Sequence, residues 1–169
     1  MRNHTAKWVA LYGMLISLAF IFSYIEAVIP IPIPVPGVKL GLANLVSIVG
    51  LYTVGIKGTI AVSLVRIVLV GFTFGNLSSM IYSLAGGTVS LIFMILLKKT
   101  GKFSQVGVSI MGGIGHNIGQ LTAAALITET AGVFYYLPFL MVAGVIAGAV
   151  IGLLGGLVTA RIQSVVKRL

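Results

Sequence analysis

Six apolar stretches of about twenty residues each fill almost the whole chain, and a bilayer crossing takes about 20 residues. They run from about 8 to 29, 38 to 55, 58 to 75, 77 to 97, 106 to 128 and 134 to 160, with Gly, Pro and Lys clusters between them. Tails and short loops are all that remain. Charged residues make up 8% of the chain, against about 25% in ordinary soluble domains. Such a surface cannot face water, so the expected fold is a single all-α integral membrane domain, residues 1–169, with six transmembrane helices. The first apolar run exceeds the length of a signal sequence and meets no small-residue cleavage site, so it is expected to persist as a helix.

The cations give the orientation. With the N-terminus in the cytoplasm, Arg2, Lys7, Lys57, Lys98, Lys99, Lys102, Arg161, Lys167 and Arg168 all fall inside, as the positive-inside rule requires. Both termini are then cytoplasmic, and the expected location is the bacterial cytoplasmic membrane. The charge of +9 is scattered between apolar runs rather than gathered in a stripe, which argues against nucleic acid as a partner. Between residues 30 and 36 proline occupies every second position. Such a segment supplies few backbone donors and disfavours helix, so it reads as an extended outer loop.

Small residues recur at helical spacing. Gly144, Gly148, Gly152 and Gly156 stand on every fourth position, as do Gly115, Gly119 and Ala123. Without a hydrophobic force between helices in lipid, small residues permit close approach. These faces serve either internal packing or a sliding surface for another subunit. Ala6, Ala10, Gly13 and Ser17 form a similar stripe on the first span, open to the same two readings.

Polar residues within the spans are the candidate site. A cation at mid-bilayer costs about 2.5–3.5 kcal/mol on insertion scales, and Arg66 sits near the middle of the third span. Either it pairs with Glu26, the one acidic residue in the spans, or it meets an anionic or carbonyl-rich ligand. His116, Asn117 and Gln120 cluster in the fifth span, with His116 and Gln120 on one face. They either bond to neighbouring helices or touch a ligand. With Glu26, Lys39, Asn44 and the weaker candidate Asn76 toward the outer half, such a site would open outward beneath the proline-rich loop. Tyr24, Phe72, Phe74, Tyr82, Tyr135 and Tyr136 would line it or form the interfacial belt.

Catalytic machinery is hard to assemble. The chain has no cysteine, no aspartate, and no Gly-x4-Gly-Lys-Ser/Thr loop. Magnesium-dependent diphosphate chemistry uses clustered carboxylates, and only Glu26 and Glu129 are present. The expectation is a binding protein rather than an enzyme, with no cofactor and no metal site.

Several motifs carry a resemblance. Ser23-Tyr-Ile-Glu26, the proline-rich loop, Gly37-Val-Lys-Leu-Gly-Leu-Ala-Asn44, Ser63-Leu-Val-Arg66, Tyr82-Ser-Leu-Ala-Gly-Gly87, Gly115-His-Asn-Ile-Gly-Gln120 and Tyr136-Leu-Pro138 together resemble the Gx transporter family. Its members are often labelled heptaprenyl diphosphate synthase component I. The wider group is similar to the substrate-binding S components of energy-coupling-factor (ECF) transporters. That resemblance implies capture of a small-molecule micronutrient from outside, and docking on a transmembrane coupling subunit that carries two cytoplasmic ATPases. It also implies a lid formed by residues 30–37 and a docking stripe on the first helix, here Ala6, Ala10, Gly13 and Ser17. Ala6 and Ala10 match that stripe literally, the other two only in size. Flavin, isoprenoid or quinone-related cargo is the implied class. The alternative is a non-catalytic membrane accessory to polyprenyl diphosphate or quinone synthesis, or to a flavin-linked electron-transfer system.

Overall fold

Helix is the one regular structure among the described residues, which in this computed structural model are 2–29 and 41–166. The helices are α1 (Arg2–Val28), α2 (Asn44–Thr53), α3 (Gly55–Thr73), α4 (Leu77–Thr100), α5 (Gln105–Thr128) and α6 (Leu137–Val166), with a 3-10 turn at Ala131–Tyr136. Lys39 and the proline-rich loop lie outside the described residues, as do Lys167 and Arg168.

Local chemistry fixes the ends. Asn76 caps α4 by accepting from the Ser79 backbone N–H at 2.8 Å, while the Ser79 hydroxyl accepts from the Asn76 N–H at 2.9 Å. This reciprocal pair satisfies two orphan donors, so Asn76 is a cap at an exposed helix end. Ser104 caps α5 in the same manner, accepting from Gly107 at 3.2 Å. Gly55, at φ +79°, lets the chain reverse between α2 and α3 after a single intervening residue, a conformation glycine adopts without a Cβ clash.

Four helical stretches are long and apolar enough to cross a membrane: Ala6–Val28, Gly55–Thr73, Leu77–Thr100 and Ala131–Ser164. The protein is therefore a helical membrane protein. α5 is as long as α4, but its glycines and His116, Asn117 and Gln120 lower its hydropathy. α2, at 10 residues, rises only about 15 Å, half the hydrocarbon thickness.

That short helix is the hub. α2 packs against α1, α3, α4, α5 and α6, and seven of its ten residues are buried. Around it, α1 packs on α3, α3 on α4, α4 on α5 and α5 on α6, whereas α1 and α6 do not meet among the described residues. The open seam is floored by Leu45, Val46 and Val49 of α2, between Leu15, Leu18 and Phe22 of α1 and Val158 and Ile162 of α6. Outward faces are apolar: Phe72, Leu77, Leu126 and Tyr135 are each more than 70% exposed, as lipid contact requires. Tyr24 and Phe20 each meet Phe74 edge-on at 5.3 Å, while Tyr82 is buried.

The glycine faces of α5 and α6 are internal packing surfaces. A methyl group at Gly148 would lie 2.6 Å from the Ile110 Cα, and one at Gly113 would lie 2.5 Å from the Gly144 carbonyl oxygen. On the other side of α5, Gly119 lies against the Ala85 carbonyl and Gly115 against Phe93. The stripe stops at Gly156, where nothing lies within 4 Å of the missing methyl. The α1 stripe behaves differently. Ala6, Ala10, Gly13 and Ser17 are all exposed, and nothing approaches Gly13 within 4 Å. Internal packing does not account for it.

Candidate functional site

Glu26 ends the first helix with its carboxylate turned into the bundle, 7% exposed. Its Oε1 accepts from the Gly41 N–H at 2.5 Å and from the Leu42 N–H at 3.4 Å. Those groups open the turn that leads into α2, where Asn44 N–H donates to the Gly41 carbonyl at 2.8 Å. A helix start presents unsatisfied donors and positive potential. Glu26 thus serves α2 as a cap from another helix. Gly41 has φ +83°, which aims its N–H back at α1.

Arg66 is 6% exposed on α3, and the Glu26 carboxylate acts on it electrostatically. Both backbone bonds use Oε1, so the one carboxylate serves the start of α2 and Arg66 together.

From α5, His116 and Gln120 turn toward the same level. A methyl on Gly41 would sit 2.9 Å from Asn44 Nδ2 and 3.3 Å from His116 Nε2. A methyl on Gly86 of α4 would sit 2.9 Å from His116 Nδ1 and 2.7 Å from Gln120 Cγ. Next to it, Gly87 faces the Ile67 side chain at 3.8 Å, one residue beyond Arg66. Glu26, Asn44, His116 and Gln120 therefore reach one layer of the bundle from α1, α2 and α5, α4 makes room for them at Gly86, and Arg66 of α3 joins the layer through the Glu26 carboxylate. All are at least 93% buried. Asn44 Nδ2 has no hydrogen-bond partner there, a cost of about 1–3 kcal/mol for a buried donor.

Asn117 stands apart. Its Nδ2 donates to the Leu140 carbonyl at 2.6 Å, and it adjoins Gly144. This residue ties α5 to α6. Gly41 and Gly86 are the site residues that the expected set lacks. The signal for Gly86 was present: a glycine inside a helix costs about 1 kcal/mol relative to alanine, and Gly86-Gly87 stands mid-helix.

Chemically, the layer offers a guanidinium fork, an imidazole and two carboxamides. This is a donor-rich surface suited to carboxylate, phosphate or carbonyl oxygens. It holds no carboxylate pair for a metal. Glu129, the other acid, is exposed at the end of α5.

No curated protein and no solved structure matches the chain. A family model does: the one described as heptaprenyl diphosphate synthase component I, matching residues 15–158. The match spans every residue of the buried polar layer, and the chain belongs to that family, the one its motifs resemble.

Proposed function

We propose that the protein is the substrate-capturing S component of an ECF-type importer, crossing the membrane six times with both termini in the cytoplasm. Arg66 holds a small ligand through a carboxylate, phosphate or carbonyl group. Asn44, His116 and Gln120 supply further hydrogen bonds to it. The observation that carries this reading is the buried layer itself. A membrane interior does not collect a guanidinium, an imidazole and two carboxamides without a polar guest or a polar partner, and Glu26 already serves the start of α2. The bare small-residue stripe on α1 supports the second half of the reading, a flat face for a transmembrane coupling subunit with two cytoplasmic ATPases.

The test is purification from native membranes. Wild type should bring down the coupling subunit and both ATPases, and Ala10→Trp plus Gly13→Trp should lose them while still inserting. Absence of the complex, with the double variant behaving as wild type, refutes the importer reading.

The family description supports a second reading, a non-catalytic membrane accessory to prenyl diphosphate synthesis. The chain's two separated glutamates do not supply the carboxylate cluster that such chemistry uses. Prenyl-transferase activity measured with and without this chain separates the readings: stimulation favours the accessory.

A further inference from the structure

We infer that Lys98 is a positioning residue for the polar layer. From the last turn of α4 it holds the inner end of α2, and through that helix it sets where Asn44 stands against His116. This rests on the reading of the layer as a ligand site.

α2 brings no end group of its own. No side chain within it caps its start, and its last turn carries no basic residue. Other helices supply both. At the outer end, Glu26 of α1 accepts from the Gly41 and Leu42 N–H groups. At the inner end, the Leu51 carbonyl accepts from Lys98 Nζ, and the Tyr52 carbonyl accepts from Gln163 Nε2 of α6 at 3.1 Å. Lys98 Nζ also stands 4.5 Å from the centre of the Tyr52 ring, a cation–π contact. The last carbonyls of a helix have no partner within it. Each charge suits the end it meets, an anion at the positive start and a cation at the negative finish.

Between those ends, among the described residues, α2 makes one side-chain hydrogen bond to another helix, Ser47 with Ser63 of α3 at a long 3.5 Å. Val46, Ile48, Val49 and Leu51 are buried, but apolar burial has no direction. The bonds at the two ends therefore fix the helix along its axis. Asn44 and Leu51 are separated by about 10 Å of helical rise, so a shift at Leu51 reaches Asn44 as a rigid-body movement. The layer has little room for one. A methyl at Gly41 would lie 2.9 Å from Asn44 Nδ2 and 3.0 Å from His116 Cδ2. Asn44 Nδ2 has no hydrogen-bond partner, and it is the donor whose aim such a shift changes.

The test is hydrogen–deuterium exchange of the full chain in nanodiscs, read at the Gly41 and Leu42 amides, which report local opening of the outer end. Lys98→Met keeps an unbranched stem and removes the charge and the donor. Exchange at those amides should rise about tenfold, and Lys98→Arg should restore it. Lys99→Met, at the exposed neighbour, should change nothing, and the amides of α5 and α6 should keep their protection in every variant. Should Lys98→Met fail to insert, Gln163→Leu should give the same pattern at about threefold. A rise confined to Val54 at the inner end, or one spread evenly through α5 and α6, would overturn the positioning role.

Native mass spectrometry gives the second readout. The small molecule carried by wild type should be lost from Lys98→Met and regained in Lys98→Arg. A variant that keeps it in full overturns the link between Lys98 and the layer. A wild type that carries none removes the ligand site itself, whatever the exchange shows.

Discussion

Glu26 and Arg66 are oppositely charged and buried, and Glu26 serves the start of α2 as well as Arg66. The carboxylate accepts from two backbone N–H groups at the start of α2, while the guanidinium has the Glu26 charge acting on it. Glu26→Ala should therefore lower stability by about 2 kcal/mol, the order of a hydrogen bond to a charged group. Arg66→Ala should leave the fold intact. In a double-mutant cycle read by thermal unfolding in detergent, Arg66→Ala with Glu26→Ala should show a coupling of about 0.5–3 kcal/mol, the range for residues that interact directly, with the double variant still less stable than wild type because the α2 cap is gone. Rescue to wild-type stability would leave Glu26 as a salt-bridge partner alone. The sequence marked Arg66, His116 and Gln120 because polar groups in a membrane are expensive wherever they point. It could not show that Asn117, a neighbour of His116, turns to the Leu140 carbonyl, since that depends on which helix lies on which side.

At the scale of elements, glycine spacing identified close helix faces but not the surface that each one meets. Gly148 touches the α5 backbone, whereas Gly156, on the same stripe, touches nothing. Gly148→Ala should destabilise by about 1–3 kcal/mol through overpacking. Gly156→Ala should be neutral, or stabilise by about 0.5–1 kcal/mol by removing chain entropy. Thermal midpoints of the two variants check this, and equal effects would contradict the packing of α5 on α6. Helix boundaries were legible to within a few residues where caps mark them, as at Asn76 and Ser104. The start of the sixth span was read at 134. There the chain instead forms a 3-10 turn at Ala131–Tyr136, and α6 begins at Leu137, with Pro138 in the first turn, where its missing N–H costs nothing. α2 was read as a full span from 38 to 55. Its described helix is 44–53, and its burial against five neighbours explains why so apolar a stretch need not face lipid.

For the whole molecule, composition fixed the class: no chain with so few charges folds as a water-soluble domain. Ring order was not legible, because no periodicity says that a ten-residue helix will sit at the centre with α1 and α6 unjoined. Sidedness has a direct check, since the chain contains no cysteine and single cysteines can be placed at will. Cysteines at positions 57, 99 and 161 should react with an impermeant maleimide only after the membrane is opened, and one at 131 should react from outside. The reverse pattern would invert the proposed orientation.

The central claim is that the buried layer around Arg66 holds a guest. Native mass spectrometry of the protein extracted from its own membranes tests it most directly. Wild type should carry one small molecule of defined mass, and Arg66→Ala, folded and inserted, should have lost it. A wild-type protein without that added mass, or a variant that retains it in full, would contradict the account.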